Sequence, residues 1–182
     1  MALSKKWQLS AFDYHVDAFI VPCLAGAGLL LAPIVGWQII LGIFMWSLTE
    51  YCLHRFLFHK YFRRDHWAHH VNPQAYIGIS GLYIGIISAL MLGPAFMLGL
   101  TSLYSGYMLG YLAYLILHFS MHRKHSRMYR LIIKLVRNHE LHHQKGVEKN
   151  FGVTSPLWDF VFRTYVSRKR AAPSTNGDFG RQ

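Results

Sequence analysis

Charge is what this chain most lacks where a soluble domain would need it. The 182 residues include only eight Asp and Glu, and from His66 to Met121 there is no Lys, Arg, Asp or Glu at all. So long an uncharged stretch is hard to keep in water. With 53% hydrophobic and 15% charged residues, the expected solvent is a membrane. Lys and Arg are also absent from residues 7 to 54, and the nineteen present are confined to Lys5 and Lys6, the stretch Arg55 to Arg64, and everything from Arg123 onward. That confinement argues against nucleic acid as the partner of the +11 net charge, because such binding needs basic residues interleaved with a soluble fold. Cysteine is limited to Cys23 and Cys52, both in apolar runs, which excludes a disulfide framework and leaves them as small hydrophobes.

What is present is apolar sequence in four runs: Ala18 to Val35, Trp37 to Phe58, Tyr76 to Thr101 and Tyr107 to Met121. About 20 helical residues rising 1.5 Å each cross a hydrocarbon core about 30 Å thick. The runs therefore predict an all-α integral membrane protein with four transmembrane helices. Pro33 and Gly36 mark a turn, Pro94 a kink, and the small uncharged residues 102–106 a link between the third and fourth helices. Gly26 and Gly28 offer close helix approach in the first. An apolar run so soon followed by another fits a retained anchor rather than a cleaved leader. Four crossings put Lys5 and Lys6, residues 55–70 and everything after His122 on one side, and the positive-inside rule makes that side, with both termini, cytoplasmic. Residues 1–17 read as an interfacial segment with Trp7, Phe12 and Tyr14 at headgroup level, 18–166 as the membrane domain, and 167–182 as a disordered tail. Arg127 to Arg137 alternates basic and aliphatic residues, which predicts one amphipathic helix on anionic lipid or on a cytosolic cap.

Histidine is concentrated where the apolar runs end. His54, His59, His66, His69 and His70 fall within seventeen residues, and His118, His122, His139, His142 and His143 form a second concentration. His15 and His125 stand apart. Positions i, i+3 and i+4 share a helix face, so His66, His69 and His70 are expected to present three imidazoles together, as are His139, His142 and His143. His118 and His122 form an i, i+4 pair. His54 and His59 are five apart, about 140° on an ideal α-helix, and are expected to flank a metal pair rather than share one ion. One structural zinc needs four ligands, so ten clustered imidazoles argue for two ions with five histidines each. Imidazole suits Fe, Zn, Cu or Ni and does not choose among them. Because imidazoles bind metal when neutral, metal loss is expected on acidification below about 6.5. Glu50, one turn before His54 on the same helix face inside an apolar run, is expected to orient His54 rather than to ligate a metal itself.

Together HRFLFH (His54 to His59), HWAHH (His66 to His70), HFSMH (His118 to His122), HELHH (His139 to His143) and the tail FGVTSPLWDFVFRT (Phe151 to Thr164) resemble the fatty acid hydroxylase/sterol desaturase superfamily, most closely its fatty acid 2-hydroxylase branch. The resemblance covers roughly residues 50–164. It implies a cytosolic histidine-rich helical cap holding two Fe ions, and a lipid or acyl-chain substrate oxidised with O2. It departs from the 2-hydroxylases in the third box, where Arg123 follows His122 and a displaced His125 comes after, and no fused cytochrome b5 domain is evident. A separate donor, cytochrome b5-like or ferredoxin-like, is therefore expected. Asp159 in the tail motif is expected to accept a hydrogen bond from the second N–H of a ligand histidine. Within the superfamily, desaturation, sterol oxidation and carotenoid hydroxylation use similar boxes. HELHH also satisfies the HExxH pattern of zinc metalloproteases, with Glu140 as base, but this leaves eight histidines unused. A metal carrier would spread polar groups through mid-membrane, and a bis-histidine haem needs no HxxHH triplets.

Overall fold

The computed structural model describes residues 8–144 and 148–167, and within them the apolar runs are helical. Strict alternation is missing from these runs, so nothing favours strands, and the only extended pairing among the described residues is a single antiparallel bridge between Gln8 and Ile77. The elements are α1 (Ala11–His15), α2 (Asp17–Leu30), α3 (Gly36–Cys52), a π-helical segment (Leu53–Tyr61), α4 (Arg63–Val71), α5 (Gly81–Met97), α6 (Thr101–Met121), α7 (Arg127–Leu131), α8 (Ile133–His142) and α9 (Leu157–Val161).

Four long helices, α2, α3, α5 and α6, form a bundle with α6 at its centre. Its core joins Val21 and Ala25 of α2, Trp46 of α3, and Tyr104, Met108 and Tyr111 of α6. Residues 102–106, expected as a link, are instead the first turns of α6. Thr101, Ser102 and Ser105 are buried there, and backbone partners absorb the polarity of the two serines: Ser105 donates to the Ala25 carbonyl (2.9 Å), and Ser102 accepts from the Val35 N–H (3.0 Å). The α3–α6 contact depends on two facing glycines. A Cβ on Gly106 would fall on the Ile39 carbonyl, and one on Gly42 on the Leu103 carbonyl. Gly28 makes the corresponding approach to Ser105, whereas Gly26 faces open space. Gly106→Ala is accordingly expected to force the helices apart at a cost of about 1–3 kcal/mol. A fall of several degrees in thermal midpoint in detergent would show it, with Gly26→Ala as the neutral control.

Among the described residues no helix is long and apolar enough to cross a membrane. The 14 residues of α2 and the 17 each of α3 and α5 reach only about 21–26 Å at 1.5 Å per residue. The 21-residue α6 is long enough, but its serines, tyrosines and His118 dilute its apolar character. The expected single helix from 127 to 137 breaks at Ile132 (φ −99°, ψ 23°) into α7 and α8. Met1 to Trp7 and almost all of the expected tail, 168–182, lie outside the described residues.

Candidate metal centre

The π-helical segment decides how the first histidine box works. A π-helix repeats hydrogen bonds at i→i+5 rather than i→i+4, as in the Phe62 N–H to Leu57 carbonyl bond (3.0 Å) that closes it. Residues five apart then lie nearly one above the other. His54 and His59 therefore point into one space, with ring centroids 5.2 Å apart, and do not flank a pair as α-helical geometry predicts.

All ten histidines converge, in two groups of five. One contains His54, His59, His66, His70 and His142; the other contains His69, His118, His122, His139 and His143, and within each group a potential ligand atom from every ring lies within 4.8 Å of the others. The HxxHH triplets are split between groups, against the expectation that each presents its three rings together. Positions i and i+4 (His66 and His70; His139 and His143) turn into one group and position i+3 into the other. The result is a crossed arrangement. Each group takes a pair from the end of a long helix, a pair from the adjacent HxxHH, and one ring from the distant HxxHH.

The ring nitrogens fit metal ions. Nε2 to Nε2 separations are 3.0 Å for His54–His66 and His66–His70 and 3.1 Å for His59–His142; in the other group they are 3.3, 3.2 and 3.0 Å for His118–His122, His122–His139 and His139–His143. Imidazoles ligating at about 2.0–2.1 Å in tetrahedral or octahedral arrangement would place neighbouring nitrogens about 2.8–3.4 Å apart. Burial, with mutual repulsion as the lesser cause, holds His66, His69, His139 and His142 well below the usual imidazole pKa. Burial likewise brings His70 down to about 3 and His122 to about 4. The rings are therefore neutral and able to ligate at physiological pH.

Among the described residues neither acid hydrogen-bonds a histidine directly, so the direct bond expected of Asp159 is not made. Glu50 Oε1 accepts from the N–H groups of Val153 (2.6 Å) and Thr154 (2.9 Å), and Oε2 from the Thr154 hydroxyl (2.7 Å). Asp159 Oδ1 accepts from the Phe151 N–H (2.8 Å) and the Thr164 hydroxyl (2.7 Å), and Oδ2 from the Gly152 N–H (2.8 Å). Two buried carboxylates thus hold four consecutive amides of one strap, 151–154. Its carbonyl side reaches the histidines: Nδ1–H of His54 donates to the Phe151 carbonyl (2.6 Å), and Nδ1–H of His142 to the Lys149 carbonyl (2.8 Å). A carbonyl only accepts, so each bond fixes the tautomer that leaves Nε2 free to face the group. The residues that set the rings are therefore backbone atoms of Lys149 and Phe151, which side-chain chemistry alone does not reveal.

A cavity of about 650 Å³ lies against both groups, bounded by His54, His66, His69 and His118 and by apolar residues including Ile77, Ile84, Ile87, Met108 and Leu115. His15 lies on its wall, packed among Tyr14, Tyr76 and Phe119, and His125 is exposed and outside both groups. Glu140 accepts a hydrogen bond from the Tyr129 hydroxyl (3.0 Å).

The model of the family described as fatty acid hydroxylase matches residues 39–164, well over half of the chain. The chain belongs to the fatty acid hydroxylase family. All ten clustered histidines, Glu50 and Asp159 lie inside the matched region. Among similar proteins, the dihydroceramide fatty acyl 2-hydroxylase FAH2 of Arabidopsis thaliana is 30% identical over 91% of this chain and 76% of its own length. The ceramide very long chain fatty acid hydroxylase SCS7 of Saccharomyces cerevisiae is 31% identical over 69% of this chain, and the human fatty acid 2-hydroxylase 31% over 71%. The chain spans only 37% and 39% of those two. The solved hydroxylase domain of scs7p superposes with a TM-score of 0.63 at 28% identity, covering 88% of this chain and 68% of that one. This fatty acid hydroxylase family member thus shares its helical architecture with a relative of known fold.

Proposed function

We propose that the protein is a membrane-bound, O2-dependent lipid hydroxylase that inserts oxygen into a C–H bond of a fatty acyl chain. The observation carrying this reading is the pair of interleaved five-histidine groups set against a mainly apolar cavity of about 650 Å³. The ten histidines would hold two Fe ions; zinc can occupy the same imidazoles in purified protein, since its affinity generally exceeds that of ferrous iron. Bound there, an iron pair supplies O2 activation, with two electrons from a cytochrome b5-like or ferredoxin-like protein, sufficient to attack an unactivated C–H bond. The chain contributes the rest. Neutral rings hold the ions without cancelling their charge, the strap fixes ring orientation, and the apolar wall excludes water while aligning the acyl chain.

The placement in the membrane belongs to the same proposal: α2, α3, α5 and α6 within the bilayer, and the π-helical segment, α4 and α7 to α9 as a cytoplasmic cap, within one domain of residues 18–166. Support comes from the outward faces of the bundle, where Leu30 is 89% and Met97 81% exposed, and from the absence of Lys, Arg, Asp and Glu at residues 18–49 and 66–121. The helix α3 runs directly into the π-helical segment, which adds length beyond its own 17 residues. Basic residues confined to the cap side give the orientation.

Expression with a reductase system and mass spectrometry of lipid extracts is expected to show acyl chains with one added oxygen. Loss of two hydrogens instead would assign desaturation. Glu140→Gln is expected to retain both ions and activity within about two-fold, because the carboxylate is engaged by Tyr129 and lies outside the cavity lining; a zinc protease that used Glu140 as its base would lose activity by orders of magnitude.

A further inference from the structure

The two histidine groups differ in what stands behind them. In the group built on His54, two rings have their outward nitrogen anchored to backbone carbonyls of the strap, with His70 Nδ1 unpartnered. In the group built on His118, the described residues supply no such anchor. His139 Nδ1 has no partner, and buried His69 has none at either nitrogen. The strap itself is rigidly mounted. Glu50 and Asp159 are 4% and 1% exposed and hold its four amides. Asn150, in left-handed conformation (φ 55°), ties its start to Val166 through bonds of 3.0 and 2.8 Å. Orientation of a ligand ring by an outer hydrogen bond typically changes metal affinity 10–100-fold.

We infer that Glu50 and Asp159 are positioning residues which act through the 149–154 strap to preset His54 and His142, making the two metal sites unequal: the site containing His54 holds its ion tightly, and the site containing His69 exchanges first. This rests on the two-ion reading above. The two carboxylates reach no histidine, and their effect on the metal passes through peptide groups. The Val153 and Thr154 amides fix the strap against α3, Phe151 and Gly152 fix it against α9, and the carbonyls between and before them are thereby aimed.

The test is a chelator titration of the purified, iron-loaded protein, with metal per chain measured by elemental analysis. Two ions are expected to leave in separate steps, at chelator concentrations differing at least about 10-fold. His143→Ala is expected to remove the weaker step and His142→Ala the stronger. Glu50→Gln and Asp159→Asn are expected to move only the tight step, by about 10–100-fold, toward the weak one. Thr154→Val, which removes just the hydroxyl bond to Glu50, is expected to move the same step less and guards against loss of folding in the acid variants. A merely structural role for the acids would lower the thermal midpoint and weaken both steps alike. Simultaneous release of both ions from the wild type, or an equal weakening of both steps in Glu50→Gln and Asp159→Asn, would overturn the inference while leaving the two-ion reading intact. A wild-type protein holding a single ion would sink both.

Discussion

Replacing His142 and His143 together with alanine is expected to strip both ions from the protein, although the two residues are neighbours in one histidine box. His142 belongs with His54, His59, His66 and His70, and His143 with His69, His118, His122 and His139. If each HxxHH triplet held its own ion, the double variant would damage one site and keep the other, leaving one ion per chain after dialysis against a chelator. The crossed arrangement leaves none. Hydroxylation is expected to fall by more than about 10³-fold, since even the loss of a group that merely orients a ligand costs 10–100-fold. Single His142→Ala and His69→Ala variants should each lose one ion, and from opposite sites. Retention of one full equivalent of metal in the double variant would restore the triplet reading and refute the crossed one.

Acidification is expected to collapse the metal-free protein between about pH 6 and pH 5, well before its buried rings would protonate in place. Folded-state burial depresses the pKa of His66, His69, His139 and His142, and puts His122 near 4 and His70 near 3. The unfolded chain protonates these rings near 6.5. Below that pH the unfolded state binds more protons than the folded one, so stability is fully present above 6.5 and is lost as pH falls toward the folded-state values. Each ring held neutral contributes a loss of about 1.4 kcal/mol per pH unit. Four such rings give roughly 5 kcal/mol per unit, comparable with the whole stability of an ordinary domain. Bound ions compete with protons and with unfolding, so the loaded protein should hold its structure to lower pH. Near-ultraviolet circular dichroism against pH, with and without metal, reads this. A metal-free protein unchanged at pH 4.5 would contradict it.

Several features were legible in the residues alone. The ten histidines, their concentration at run ends and their excess over one ion's needs follow from spacing, because spacing along a helix fixes which rings lie close. The helical character of the apolar runs was equally plain. Two local misreadings had local causes. Residues 102–106 look like a link because serine and glycine are loop formers in isolation; here they are the small residues that let α6 approach α2 and α3, with Ser105 bonded to the Ala25 carbonyl and Gly106 against Ile39. His54 and His59 diverge on α-helical angles but converge here, because the segment that carries them winds as a π-helix.

What the sequence by itself determined is the ligand inventory: neutral nitrogen donors, ten of them, with Glu50 one turn before His54 and Asp159 in the tail motif. Which rings share a group was decided only by tertiary structure. An i+3 ring diverges from its i and i+4 neighbours by enough to enter a different group once α4 and α8 face each other. The hydrogen-bond partners of Glu50 and Asp159 were decided there too, because they are peptide N–H groups of a strap a hundred residues from Glu50. A backbone amide is identical at every position in a sequence, and only the fold can say which one a buried carboxylate will find.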